Sequence, residues 1–270
     1  ERMTRAYTQG MVEVFGPNRD IPAPDMGTDG QVMAWIVDEY SKMHNGDYIP
    51  GVVTGKPIEL GGSRGRVAAT GRGVMIATIE ALKKMGKKPM ECTVAVQGFG
   101  NVGSVAAKLL SSQGLRVVAI SDRWGGYYNS HGILMSQAIH YMEHNDRSLK
   151  GFEDGEPISN EDLLELDVDV LVPAATENVI TTKNASNIKA DLIVEGANGP
   201  ISADADSIIR DNGIMVVPDI VANAGGVTVS YLEWVQNRRG HYYKEKEVYE
   251  RAEPMLINAF EEMYTMSQRH

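Results

Sequence analysis

Three glycines, Gly98, Gly100 and Gly103, stand in the spacing G-x-G-x-x-G within the run VAVQGFGNVGSVAAKLL at residues 94–110. With an apolar run before and a helical pattern after, this spacing fits a turn that lays a dinucleotide pyrophosphate on its backbone. The first glycine permits a tight turn, the second leaves the phosphates room to approach, and the third lets helix and strand pack closely. The following helix would turn the partial positive charge of its N-terminus to the phosphates. The same glycines could serve only a tight strand–helix junction. Asp122, at the end of the next apolar run, favours the ligand reading, because it stands where such sites place the acceptor for adenosine ribose hydroxyls.

Other side chains offer chemistry of a different kind. Asp25 follows two prolines in PAPD, a rigid turn able to fix a carboxylate beside a reacting nitrogen for proton transfer. Equally, Asp25 or Thr28 could cap a helix starting at Gln31. Asn223 and Ser230 are seven residues apart, two helical turns, and read as one helix face. Among His44, His131, His140, His144, His241 and His270, only His140 and His144 have ligand spacing, and they lack a third ligand, so no metal site is expected. Cys92 has no histidine and acid context to make it a nucleophile, and Trp35 and Trp234 read as packing residues.

The elements that must position these groups show in the hydrophobic pattern. TVAVQ (93–97), LRVVAIS (115–121), DVLVPA (169–174), DLIVEGA (191–197) and IMVVPD (214–219) are apolar on both faces, as strands buried beneath helices are in a parallel sheet. NVGSVAAKLLSSQG, ILMSQAIHYMEHN and ADADSIIRDNG lie between them with helical spacing. The alternation predicts an α/β fold with a doubly wound, Rossmann-type parallel sheet. Before it come an amphipathic helix (ERMTRAYTQGMVEVFG), a turn rich in Pro and Asp, and a second helix (GQVMAWIVDEYSKMH). After it comes one more helix over 241–270, interrupted by Pro254.

Five segments resemble, in order and spacing, the glutamate dehydrogenases of the hexameric Glu/Leu/Phe/Val dehydrogenase family. They are DIPAPDMGTDGQVMAWIVDEY (20–40), GKPIELGGSRGRVAATGRGV (55–74), GFGNVG, EGANGP (195–200) and NAGGVTVSYLEWVQN (223–237). The resemblance implies oxidative deamination of L-glutamate to 2-oxoglutarate and ammonia, with hydride transfer to a nicotinamide cofactor. By this resemblance Asp25 is the catalytic aspartate, moving protons to and from the amino group. Thr70 and Asn101 hold the nicotinamide end and the phosphates, and Phe99 and Val102 belong to the cofactor turn with the three glycines. Asn198 meets the nicotinamide ribose, and Ala174 and Ala175 line the cofactor site at the carboxyl end of a strand. Asn223 and Ser230 face the substrate, the hydroxyl reaching its side-chain carboxylate; without the resemblance Ser230 reads as a helix-surface hydroxyl. Asp122 would repel a 2′-phosphate whereas Arg123 could pair with one, so NAD is expected and NADP stays open.

Members of that family carry upstream glycine-rich segments with substrate-binding lysines, and nothing matching them precedes Glu1. The expected organisation is therefore a fragment. Residues 1–50 would be a remnant of the substrate-binding domain, 51–240 the dinucleotide-binding domain, and 241–270 a C-terminal helical segment. A carboxylate without the lysines lacks electrophilic help, so an inactive nucleotide-binding module is the competing reading. A branched-chain or aromatic amino-acid dehydrogenase is a third; it would need neither Ser230 nor a lysine in its pocket. The resemblance also implies a homo-oligomer, a hexamer in the full-length family.

Composition narrows the remaining classes. The net charge of −10, with no basic cluster larger than Lys83, Lys84, Lys87 and Lys88, argues against nucleic-acid binding. A single cysteine excludes an intrachain disulfide and a multi-cysteine zinc site and suits a reducing compartment. No apolar run approaches the roughly 20 residues that span a bilayer, and ERMTRAYTQG has no signal-peptide core, so no membrane association and a cytoplasmic location are expected.

Overall fold

The computed structural model describes residues 1–25 and 27–269; His270, among the histidines considered above, lies outside the described residues. The chain forms two compact units. Glu1–Ala69 with Gly226–Met255 make the first, and Thr70–Gly225 with Leu256–His270 the second.

The second unit is built on a seven-stranded sheet. In chain order its strands are β1 (Thr93–Gln97), β2 (Arg116–Asp122), β3 (Gly125–Tyr128), β4 (Glu156–Ile158), β5 (Val170–Pro173), β6 (Leu192–Val194) and β7 (Met215–Val217). They lie in the order β4-β3-β2-β1-β5-β6-β7. The five strands β2, β1, β5, β6 and β7 run parallel, matching the doubly wound expectation. β3 and β4 add an antiparallel edge that the apolar pattern does not announce, since GGYY and EPI are short and lack a β-branched run.

Side chains alternate across the sheet. Val94, Val96, Val170, Val172, Leu192 and Val194 point into one core with helices α3 (Ala69–Lys84), α4 (Gly103–Ser112) and α5 (Met135–His144). Ala95, Leu171 and Ile193 point into the opposite core with α6 (Asn160–Leu164) and α7 (Asp206–Asp211). In β2 the neighbours Val118 and Ala119 both enter that second core, because the register with β1 shifts between Val94 and Ala95 and inserts one residue. At the amino-terminal edge of the sheet, Lys87 Nζ bonds Asp169 Oδ1 at 2.6 Å and also Asp191, while Asp169 Oδ2 accepts from Thr93 N at 2.8 Å. One lysine thereby ties the starts of β1, β5 and β6 together.

The first unit is helical. α1 (Arg2–Gly10) is shorter than its amphipathic pattern, and the chain turns after it. α2 (Gly30–Met43) buries Met33, Ile36, Val37 and Tyr40, a stripe at i, i+3, i+4 and i+7, against Phe15, Val52 and Val53. A short helix α8 (Asp219–Ala222) precedes α9 (Gly225–Arg239), and α10 (Glu245–Ser267) closes the chain. Pro254 does not interrupt α10 as expected: the helix runs through it. Pro254 and Glu250 are both exposed, so the carbonyl left without a helical partner faces solvent, while Val248, Ala252, Leu256 and Phe260 bury the other face. No described helix is long and apolar enough to cross a membrane.

Candidate functional site

The sheet reverses its winding between β1 and β5, and doubly wound sheets hold ligands at the carboxyl ends of such strands. The glycine turn leaves β1 there, and each glycine has a separate reason to be one. Gly98 has φ +92°, and a Cβ on it would come 2.7 Å from Ala175 Cα, so the turn lies directly on the Ala174–Ala175 backbone after β5. A Cβ on Gly103 would sit 2.0 Å from Gly98 O, which closes the helix start onto the turn. Gly100 is exposed, and a Cβ there would meet nothing within 4 Å. Two glycines thus serve packing, and the middle one leaves open space above the backbone.

The remaining turn residues divide in the same way. Phe99 is among the largest fully buried side chains, and its amide donates to Ser121 O at 2.6 Å, so it anchors the turn to β2. Val102 is half-buried against the core and Asn101 is exposed. Asn101 Oδ1 accepts from Arg147 Nη2 at 2.6 Å. Arg147 comes from the loop after α5, where both Asp146 (φ 48°) and Arg147 (φ 56°) take left-handed backbone. The same loop engages Asp122: Leu149 N donates to Oδ2 at 2.7 Å and Ser148 Oγ donates to it at 3.2 Å, while Trp124 N donates to Oδ1 at 2.7 Å. Both oxygens of Asp122 hold main chain, and residues 147–149 form a strap between the ends of β1 and β2.

Farther along the same edge, Asn198 Oδ1 accepts from Asn223 Nδ2 at 2.7 Å. Gly199 N donates to Asp219 Oδ2 at 2.8 Å, and Asp219 N donates to Glu195 Oε2 at 2.9 Å. Burial pushes the Glu195 carboxyl above its ordinary value. Asn223 does not share a helix face with Ser230. It caps the C-terminus of α8, and the chain restarts as α9 at Gly225, so helical spacing does not relate the two residues. Thr70 is half-buried in the first turn of α3.

In the first unit the PAPD turn is seated by backbone. Thr54 N donates to Pro22 O at 2.9 Å, and Gly55 has no room for a side chain, since a Cβ would lie 2.4 Å from Pro24 Cδ. Asp25 is exposed, and no described residue donates to its carboxylate. Neither Asp25 nor Thr28 caps α2: Asp29 does, its Oδ1 accepting from Val32 N at 3.0 Å, while Thr28 Oγ1 bonds the Asp25 backbone. The capping alternative for Asp25 therefore falls away.

Beneath this turn lies a buried ion pair, Lys56 Nζ to Glu233 Oε1 at 2.7 Å, with both side chains 0% exposed. Glu233 also accepts from the amides of Gly55 at 3.0 Å, Lys56 at 3.3 Å and Ser63 at 3.2 Å. Burial lowers the Lys56 ammonium from its ordinary value, and the Glu233 charge opposes that. One helical turn before Glu233, Ser230 is buried, not a surface hydroxyl, and its Oγ has no hydrogen-bond partner among the described residues. Arg66 Nε is likewise buried and unpartnered, and burial lowers its guanidinium against the opposing charge of Glu233. A buried hydroxyl and a buried guanidinium N–H left without partners cost free energy unless a ligand completes them.

Residues 61–270 match the family described as Glutamate/Leucine/Phenylalanine/Valine dehydrogenase, and residues 1–42 match the dimerisation domain of Glu/Leu/Phe/Val dehydrogenases. The chain belongs to this family. The catabolic NAD-specific glutamate dehydrogenase RocG of Bacillus subtilis is 47% identical over 270 residues, covering 100% of this chain and 63% of its own length. Glutamate dehydrogenase A2 of Halobacterium salinarum is 51% identical over 263 residues, covering 97% and 63%. The crystal structure of a hetero-hexameric glutamate dehydrogenase from Thermus thermophilus, in a Leu-bound form, superposes with a TM-score of 0.91 at 36% identity, covering 99% of this chain and 63% of that one. The chain thus spans about 63% of the length of these relatives.

Four groups of this family member were not singled out from its sequence. Lys56 and Arg66 lie in GKPIELGGSRGRV, where a cation-bearing, glycine-rich stretch was a visible signal. Glu233 gave none, because a glutamate on a helix reads as solvated until its burial is known. Arg147 sits beyond a helix end, and only the fold brings it to Asn101.

Proposed function

We propose that the chain carries the dinucleotide site and part of the amino-acid site of an NAD-dependent glutamate dehydrogenase, converting L-glutamate to 2-oxoglutarate and ammonia. The observation that carries this reading is that the Ser230 hydroxyl and the Arg66 Nε, both buried and both without a partner among the described residues, belong to the unit that seats Asp25. A hydroxyl and a guanidinium suit a second carboxylate on the substrate, whereas a branched or aromatic side chain would leave both unsatisfied.

The glycine turn fits a dinucleotide. Open space above Gly100 admits a pyrophosphate to the backbone, and α4 starts directly behind it. Gly98, Phe99, Gly100, Asn101, Val102 and Gly103 would cradle the phosphates, with Arg147 adding a cation through Asn101. Asp122 would meet the adenosine ribose, Ala174, Ala175 and Asn198 the nicotinamide half, and Thr70 the nicotinamide itself. A bound nicotinamide cofactor would supply a hydride acceptor for the substrate's α carbon. Asp25, whose carboxylate no described residue engages, takes the proton released from the amino nitrogen and returns it as ammonia leaves. The water that converts the imine to the keto acid supplies the carbonyl oxygen. Asn223 would orient the substrate through the Asn198 pair.

NAD is proposed over NADP because the carboxylate of Asp122 ends β2, and Arg123 is engaged over the ring of Trp124, 5.0 Å from its centroid. The NAD-specific relative agrees with that preference. The hetero-hexameric relative supports assembly into an oligomer, and a homo-hexamer is proposed for this chain. Because the chain spans 63% of its relatives, we propose that it binds dinucleotide by itself but turns over glutamate only with the remainder of the protein. The test measures NADH and NADPH binding by calorimetry, and NADH production from glutamate and NAD, on one preparation. Tighter binding of NADH with no glutamate turnover supports the reading. Turnover abolished by Asp25→Asn would overturn its fragment part, and absence of dinucleotide binding would overturn all of it.

A further inference from the structure

We propose that His140, Glu143 and His144 form a binding site for one divalent transition-metal ion of the zinc class on the last turn of α5. The three residues stand at i, i+3 and i+4 on one helix face, and their ligand atoms all lie within 4.8 Å of one another. The two imidazole rings lie 4.3 Å apart at 41°. Glu143 supplies the third ligand that the histidine pair lacks in the sequence reading. Its carboxylate has no hydrogen bond or ion pair to any described residue, so nothing competes with a metal for it.

The ring of His144 is already set for ligation. Its Nδ1 lies 2.8 Å from the carbonyl oxygen of His140, which can only accept, so Nδ1 carries the proton and Nε2 presents its lone pair outward. Metal-binding histidines are oriented by such a bond from the other ring nitrogen. His144 is also the final residue of α5, where the unsatisfied carbonyls give the helix end a partial negative charge that favours a cation. Two imidazoles and one carboxylate are a borderline set that suits zinc with a water completing the tetrahedron. Magnesium and calcium prefer oxygen alone. Exposure of all three side chains leaves the site no burial cost to overcome.

His144 stands three residues before Arg147 of the strap whose Arg147 and Leu149 bond Asn101 and Asp122, so the site lies near the root of that strap. This inference does not depend on the proposed function.

The test is calorimetric titration of the full chain, stripped with a chelator, with zinc chloride and with magnesium chloride as the hard-cation control. One zinc ion per chain and no magnesium binding are expected. His140→Ala and His144→Ala should each weaken zinc binding at least tenfold, and Glu143→Gln several-fold. All three residues are exposed, and unchanged circular dichroism without metal checks that the variants fold. No zinc binding, or unchanged affinity in either histidine variant, would overturn the site. Unchanged affinity in Glu143→Gln would overturn the three-ligand assignment.

Discussion

The two units handle polar groups by opposite means. Around Glu233 the first unit buries charge: one carboxylate gathers Lys56 and three amides, while Ser230 Oγ and Arg66 Nε in the same unit are buried without partners among the described residues. Around the glycine turn the second unit removes side chains, and the backbone after β1 is seated on Ala174–Ala175 with open space above Gly100. The difference follows from what each would hold. A small carboxylic acid must be recognised by a few fixed polar groups whose desolvation makes them strong. A pyrophosphate is held by many backbone amides, and what it needs most is that nothing stands in the way.

The sharpest way to break this contrast is to remove the organising charge. Glu233→Ala would leave the buried Lys56 ammonium with only the Val53 carbonyl as partner and release the amides of Gly55, Lys56 and Ser63, for a loss of about 3–5 kcal/mol. Chemical denaturation measures it; a loss under about 1 kcal/mol would show that the pair is no more than a surface-like bridge.

In the glycine turn the expected effects separate by position. Gly103→Val forces atoms into the space of Gly98 O and should cost about 1–3 kcal/mol of stability. A Cβ at Gly100 meets no protein atom within 4 Å, so Gly100→Val should fold like the parent yet bind NADH at least about tenfold more weakly, about 1.4 kcal/mol. Equal NADH affinity in folded Gly100→Val would remove the ligand reading of the turn.

A smaller effect sharpens the role of the strap. Asp122→Ser should lower stability by about 1–2 kcal/mol, because Leu149 N and Trp124 N lose a charged acceptor, and should shift the NADH-to-NADPH ratio of dissociation constants toward NADPH. A changed ratio with an unchanged melting temperature would assign the carboxylate to the ribose alone.

The smallest effect lies at the opposite edge of the sheet. Burial acts to raise the Asp169 carboxyl, but its bonds to Lys87 and Thr93 hold it below its ordinary value, and Lys87 is raised by Asp169 and Asp191. A depressed carboxylate stabilises the fold above its ordinary titration range and loses that contribution as pH falls through the folded value, below about pH 4. Lys87→Met should cost about 1 kcal/mol at neutral pH and flatten the acid limb of the stability profile. Parallel acid limbs in parent and variant would dissociate the pair from acid sensitivity.

Much of the second unit was legible beforehand. The five parallel strands announce themselves as apolar runs, and the glycine spacing marks the turn, because both signals are local. β3 and β4 were hidden because an edge hairpin of GGYY and EPI is held by its pairing to β2 and not by its own preferences. Asp29 displaced Asp25 and Thr28 as the cap of α2 by one to four places, within the range over which several capping residues compete. Asn223 and Ser230 were joined by a helical period that the break before Gly225 interrupts.

The order of residues by itself determined where strands, helices and the glycine turn fall, since each depends on side-chain period and backbone freedom over a few neighbours. Only the tertiary structure decided which polar groups are satisfied. Glu233 meets Lys56 across 177 residues, Arg147 meets Asn101 across 46, and Leu149 meets Asp122 across 27. Burial and pairing at those separations are properties of the folded chain, because water withdraws from a side chain only when distant segments close over it. Ser230 shows the difference most plainly: as a letter on a helix it is a solvated hydroxyl, and in the fold it is buried without a partner.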